Sequence, residues 1–410
     1  MNRYALILCL SAVPSLSAGD WPQFRGPTGD GLYTGAKLPL EWGPDKNVVW
    51  TKEIPGHGWS SPIVWKGKVY LTTAVEKGKD YSLQAVGLDA VTGDLLFAKE
   101  IFVEPAGSPN PHKKNSHASP TPVTDGERLY VHFGHIGTAA ISLDGKQIFW
   151  KSQKLPYKPV HGNGGSPILV DDKLVFSCDG GDTQVIAALD RKTGNVAWKT
   201  DRKGGSTKGF SFATPQLITV DKKSLIISPG SGMVGAYEPA KGTEVWRVKY
   251  DGFSLIPRPV FGGGMVYVAT GYMSPTLQAI KPEGKGDITA SNVAWTVKRA
   301  APNTPSVLYV DDMVFMVSDG GVATCLNAKT GDPYWSERVP GSGYSASPIY
   351  ADGKIWVTSE SGEGAVIEAK KEFNILNKSN LKERTFASFA AVDGSLYVRT
   401  DKNMYRFQEK

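Results

Sequence analysis

Polar, cationic and aromatic side chains recur a few residues before each copy of a repeated proline phrase, and they are the residues best placed to do chemistry. In chain order they are His57 and Trp59, Asn115 and His117, His161 and Asn163, then Lys208 with Phe210. The later copies add Phe253 and Arg258, Arg299 and Asn303, Tyr344, and Arg384 with Phe386. If the repeats converge on one axis, these groups build a basic, aromatic-lined funnel. Such a funnel suits an anionic or sugar-like ligand, or the carboxylates of a partner protein. Trp59, Phe210 and Phe386 either line it or plug it.

All six histidines fall between 57 and 161, which raises a metal site as a question. His132 and His135 stand close together at a strand end, but no carboxylate or cysteine joins them at ligand spacing. His57, His117 and His161 are the better trio, because equivalent loops of neighbouring repeats bring them together. The residues nevertheless favour histidines without a metal. The stretch 104–119 (Glu104-Pro105-Ala106-Gly107-Ser108-Pro109-Asn110-Pro111-His112-Lys113-Lys114 and onward) interrupts the repeat and cannot continue a sheet. It either folds over the funnel as a lid or stays a surface loop.

What positions these side chains is a double repeat with a period of about 45 residues. One phrase reads Leu189-Asp190-Arg191-Lys192-Thr193-Gly194 with Trp198, and returns at 88–97 and 326–335 and more loosely at 237–246. The other is a small residue plus proline, a short apolar run, a Gly/Asp turn and an aromatic strand, as in Ser347-Pro348 to Val357. It aligns at Pro62, Pro122, Pro167, Pro215, Pro259, Pro305 and Pro348, with a proline-less eighth copy around Phe389. The outer-strand phrase also has eight members, ending near Trp50, Phe97, Trp150, Trp198, Trp246, Trp295, Trp335 and Phe373. Val48-Val49-Trp50 precedes the first proline phrase, while the last unit lacks an outer strand. Pairing the two closes a ring and removes a free sheet edge. The expected fold is all-β: an eight-bladed β-propeller of four-stranded blades, its N-terminal strand closing the last blade. The Thr-Gly turn needs φ > 0, and the tryptophan after it packs between blades.

Composition agrees. The 46 glycines and 27 prolines fit a turn-rich β fold, and the net charge of +6 contains no basic run of the kind that nucleic acid or a membrane surface demands. Residues 1–19 read as a cleaved secretory signal, with Arg3, an apolar run from Tyr4 to Leu10, and a small-residue exit at Ser15–Gly19. It is too short to span a membrane. The expected organisation is 1–19 signal, 20–46 an extension packing on the propeller, and 47–410 the propeller itself. A soluble, periplasmic or secreted protein is expected. Beyond Cys9 only Cys178 and Cys325 remain, three repeats apart, and they are no disulfide pair.

The Asp/Thr-Gly/Trp phrase resembles the blade signature of the pyrroloquinoline quinone (PQQ) β-propeller repeat over nearly the whole chain past the signal. Trp21-Pro22-Gln23-Phe24-Arg25-Gly26-Pro27 resembles a segment of exported PQQ-like proteins. The family holds quinoprotein dehydrogenases and non-catalytic relatives such as the lipoprotein subunit of the outer-membrane barrel-assembly machinery. For the enzyme branch the resemblance implies PQQ, calcium on oxygen ligands and a carboxylate base, often with a pair of adjacent cysteines. This chain has no Cys-Cys pair, and carboxylates are scarce in the segments concerned. The expectation is therefore a non-catalytic binding or scaffold protein of the cell envelope, without cofactor, acting as a monomer or as a subunit of an envelope complex. Its partner would be an envelope protein or a surface polymer. The alternatives are a PQQ-dependent alcohol or sugar dehydrogenase and a glycan-binding accessory module.

Overall fold

A computed structural model describes residues 19–202 and 204–409. The segment expected to be a secretory signal, save Gly19, lies outside the described residues. Eight antiparallel sheets stand around one axis, at 63–104, 123–152, 168–201, 216–249, 260–297, 308–338, 349–380 and 390–408. They are blades 1 to 8. Blade 8 takes its outermost strand from Val48–Glu53, which pairs antiparallel with Asn403–Gln408, so the ring closes as the two out-of-phase phrases require. Blades 4 and 7 each gain an extra two-residue parallel strand, Gly286–Asp287 outside blade 4 and Leu32–Tyr33 inside blade 7.

Seven of the eight outer strands carry a bulge just before an aromatic residue, as between Ala188 and Leu189 opposite Trp198, while in blade 7 Asn377 takes that place. The extra residue re-aims the strand so that the indole leaves its own sheet and lies on the next. Trp50, Trp150, Trp198, Trp295 and Trp335 each donate the indole N–H to the turn of the following blade. Their acceptors are the carbonyls of Ala90, Arg191, Pro239, Ala328 and Lys370 at 2.9–3.1 Å. The turn glycines sit directly beneath these rings: a Cβ on Gly194 would stand 2.5 Å from Trp150, and one on Gly331 2.8 Å from Trp295. Glycine is thus demanded twice, by its φ near +70° and by the ring stacked on it. Blade 5 replaces the turn with the insertion 281–292, and there Trp246 is fully buried with its indole N–H unpartnered.

At the inner end a second ring of contacts runs from blade to blade. The Ser61 N–H donates to Thr121 Oγ1, Thr121 to Ser166 Oγ and Ser166 to Thr214 Oγ1, each at 2.9 Å. Arg258 stands where blade 5 would carry a hydroxyl. Beyond it, the Arg258 N–H donates to Ser306, Ser306 to Ser347, Ser347 to Ser388, and Ser388 back to Ser61 at 3.0 Å. This register corrects one alignment: Val307, not Pro305, occupies the proline place of blade 6, because Ser306 is the residue equivalent to Ser347.

The segment Trp21–Gly31 crosses the channel beyond this ring. Trp21 bridges Val64 of blade 1, the Thr124 N–H of blade 2 donates to the Pro22 carbonyl, and Gln216 of blade 4 donates to the Thr28 carbonyl. Arg25 is fully buried and donates to the carbonyls of Val307 and Pro348 in blades 6 and 7, and to that of Asp30. One short strap thus touches both sides of the ring and plugs its far end.

Candidate functional site

On the near side of the hydroxyl ring the channel opens into a cavity of about 840 Å³. Its floor is the ring itself, Ser61, Thr121, Ser166, Thr214, Ser306, Ser347 and Ser388, with Phe24 of the plug between them. Trp59, Phe210, Phe212, Phe253, Tyr272 and Phe386 form the walls. Trp59 and Phe386 meet at 4.5 Å between ring centroids, and Phe210 meets Phe253 edge-to-face at 5.7 Å. Lys208 holds its ammonium 4.4 Å above the Phe253 ring. Asp319 is the one carboxylate among the described lining residues, and it already accepts from the Asn303 and Thr304 N–H groups and the Thr304 hydroxyl.

Of the residues expected at the mouth, Trp59, Asn115, His161, Lys208 and Asn303 line the cavity together. Arg384 is exposed, its guanidinium 5.3 Å from the Phe386 ring at the rim. The rest are elsewhere. Arg258 is a correction with a clear cause: its side chain turns away from the mouth and is buried, donating to the Phe24 carbonyl at 2.6 Å, so it anchors the plug. Burial lowers its pKa to about 9. Tyr344 is buried and donates to the Pro340 carbonyl, filling blade 6–7 packing. Asn163 is buried against Tyr157 and His135. His57 and Arg299 are exposed and outside the cavity.

The histidine trio is not assembled. His117 stacks on Tyr81 at 4.1 Å and pairs with the buried Glu104 at 2.7 Å, while His135 approaches the other Glu104 oxygen at 3.7 Å. Glu104 lies 13 residues before His117, beyond the short spacings at which a ligand was sought. Among the described residues no group of three histidine, cysteine or acidic side chains is arranged to hold a metal ion. His132 is fully buried on Phe176, and desolvation lowers its pKa from 6.5 to about 3. The sign follows: below pH 6.5 the unfolded chain binds a proton that the native chain refuses, so stability falls with pH between 6.5 and about 3. We expect a loss approaching 1.4 kcal/mol per pH unit from this group, and a shallower acid limb in His132→Asn. Denaturant melts at pH 7.5 and 5.0 check it; parallel slopes for both proteins would exclude the assignment.

The 104–119 insertion lies across the mouth. The His112 N–H and the Asn115 amide both donate to the His161 carbonyl, and Lys114 reaches Glu360 of blade 7 at 2.8 Å. His112 and Lys114 line the cavity from above, which makes the insertion a lid. Desolvation, with His161 and the neighbouring lysines, lowers the His112 pKa. Glu360 is only partly exposed and also accepts from the Ser345 hydroxyl at 2.7 Å, so Glu360→Gln, which keeps an acceptor there, should lower stability by no more than about 1 kcal/mol yet speed tryptic cleavage at Lys113 and Lys114. Equal cleavage rates in both proteins would refute the latch.

Sequence reasoning missed the hydroxyl ring, although the signal was present: Ser61, Thr121, Ser166, Thr214 and Ser347 all directly precede proline. It also missed Asp319 and Tyr272, which arrive on hairpins between second and third strands rather than on the inter-blade loops.

Eight PQQ-type blades closed by an N-terminal strand define the class. The chain belongs to the family whose sequence model is described as "Outer membrane protein assembly factor BamB", matched at residues 86–234, 181–308 and 285–404. Over 260 residues it is 26% identical to outer membrane protein assembly factor BamB of Burkholderia pseudomallei, covering 56% of this chain and 65% of that protein. Over 301 residues it is 26% identical to the quinoprotein alcohol dehydrogenase PedH of Pseudomonas putida, covering 64% and 47%. The matched stretches thus span less than two thirds of either relative. Among solved structures, BamB from Moraxella catarrhalis superposes with a TM-score of 0.63 at 14% identity, over 88% of this chain and 97% of that one; this likeness is one of fold. Among the described residues no helix is long and apolar enough to cross a membrane.

Proposed function

We propose that the protein is a binding or scaffold subunit of an assembly in the cell envelope, acting without chemistry of its own and reaching its site of action as a soluble exported chain. The observation that carries this reading is the match to the assembly-factor family over most of the ring. The mouth face supplies a docking surface. Tyr272 and Met273 stand 56% and 72% exposed on a hairpin tip, and Met273 holds φ at +76°, a conformation that a bulky residue adopts at a cost. Exposed cations occur elsewhere around the mouth, Lys113 on the lid and Arg384 beside the Phe386 ring. The partner is an envelope protein presenting carboxylates around an apolar contact. Cross-linking in envelope extract with the wild type and with Met273→Asp tests it: a partner held by the wild type should be lost from the variant. Equal capture, or none by the wild type, overturns the reading. Fractionation of the producing cells tests the location.

The alternative, a quinoprotein oxidoreductase, is favoured by the likeness to the dehydrogenase from Pseudomonas putida. The residues do not fit its cofactor. A calcium ion needs several oxygen ligands at once, whereas Asp319, the one carboxylate among the described lining residues, already accepts three hydrogen bonds from its own chain. PQQ with calcium should therefore leave the protein's spectrum and melting point unchanged.

A further inference from the structure

The floor of the cavity has a chemistry that the scaffold reading does not use. Each hydroxyl of the ring spends one lone pair on a backbone N–H of the neighbouring blade. A Ser or Thr hydroxyl has one O–H and two lone pairs, so every member keeps a donor and an acceptor for whatever enters.

The walls add two further requirements. Trp59, Phe210, Phe253 and Phe386 offer apolar rings to an occupant that has C–H faces. Lys208 lines the same space, its ammonium rests 4.4 Å from the Phe253 ring centroid, and it forms no ion pair among the described residues. An exposed cation without a carboxylate partner is open to an anionic group that enters the mouth. Lys114, the other lining cation, is already committed to Glu360.

Hydroxyls that both donate and accept, apolar ring faces and one carboxylate are together the description of an acidic sugar. We propose that the cavity binds a pyranose bearing a carboxylate, a uronic acid, with its ring on the Trp59–Phe386 wall, its hydroxyls on the Ser/Thr floor and its carboxylate on Lys208. The sugar enters beneath the 104–119 lid, either free or as the terminal unit of a surface polymer. This site does not depend on the protein partner proposed above: a titration with sugar contains no partner, and the cross-linking experiment contains no sugar.

Calorimetry and Trp59 fluorescence on the full chain test it, with glucuronate, glucose and benzoate as probes. Glucuronate should bind several-fold more tightly than glucose or benzoate, since an ion pair with an exposed ammonium is worth about that factor. Lys208→Met, on an exposed loop, should fold normally and bring glucuronate down to the level of glucose while leaving glucose unchanged. Ser306→Ala, which removes one floor hydroxyl, should weaken both sugars and leave benzoate unaffected. Tighter binding of a short oligouronide than of the monomer identifies the polymer end as the source, and equal binding the free sugar. Absence of sugar binding, benzoate or PQQ binding as tightly as glucuronate, or an unchanged preference in Lys208→Met would overturn the proposal.

Discussion

Arg25→Ala should lower the unfolding free energy by about 2–5 kcal/mol, because two fully buried carbonyls lose their donor at roughly 1–3 kcal/mol each. The guanidinium donates to the carbonyls of Val307, Pro348 and Asp30 and is itself fully buried. Burial lowers its pKa to about 10, still far above neutral, so the group remains charged under ordinary conditions. Arg25→Lys should recover little, because a single ammonium cannot span three carbonyls that a planar fork reaches. Thr28→Ala, exposed on the same strap, is the control and should change stability by under about 0.5 kcal/mol. Denaturant unfolding measures all three; a loss of less than about 1 kcal/mol in Arg25→Ala would show that the strap only rests on the ring.

The second large effect is expected at the turn glycines. A Cβ on Gly242 would lie 2.3 Å from the Trp198 ring, and the residue holds φ at +68°. Gly353 has nearly the same backbone, φ +72°, but no atom within 4 Å of the corresponding position. Alanine at Gly353 should therefore cost about 1–2 kcal/mol, the price of the left-handed conformation. Alanine at Gly242 should cost about 1–3 kcal/mol more, because the indole must leave its place and its bond to the Pro239 carbonyl strains. The difference between the two variants isolates the indole contact from the backbone. Equal destabilisation would mean that the tryptophans pack loosely and that φ alone fixes the glycines.

The ring was legible in the sequence because its causes are local. A bulge, a turn opened by Asp, Glu or Asn, a glycine and an aromatic residue recur in blades 1, 3, 4 and 6. Asp190 shows the cap, its carboxylate accepting from the Lys192 and Thr193 N–H groups. The closing strand was legible for the same reason, since two phrases out of phase leave one partner for each end. The site was legible only in outline. Loops before the inner strands were the right place to look, and Trp59, His161 and Lys208 meet there. Side-chain direction was not readable: Arg258 and Tyr344 occupy the same kind of position and turn into the protein, one toward the plug and one toward its neighbour blade. Contacts between distant segments were equally hidden. Nothing in the sequence couples Lys114 to Glu360, or Arg25 to the carbonyls it holds, because the repeat itself brings them together.

The closure of blade 8 has a consequence in time as well as space. Val48–Glu53 is among the first segments of the propeller to be made, and its only sheet partner, Asn403–Gln408, is among the last. Until that strand is available the early one stays an open edge, and the strap ahead of it lacks the carbonyls of blades 6 and 7 that hold Arg25. Partial chains can build blades but cannot lock them, and a pairing so distant in sequence makes the last step slow. Locking thus works as a test of completeness: a chain missing its final strand displays two unsatisfied edges open to pairing or cleavage, while a finished one displays none at that seam.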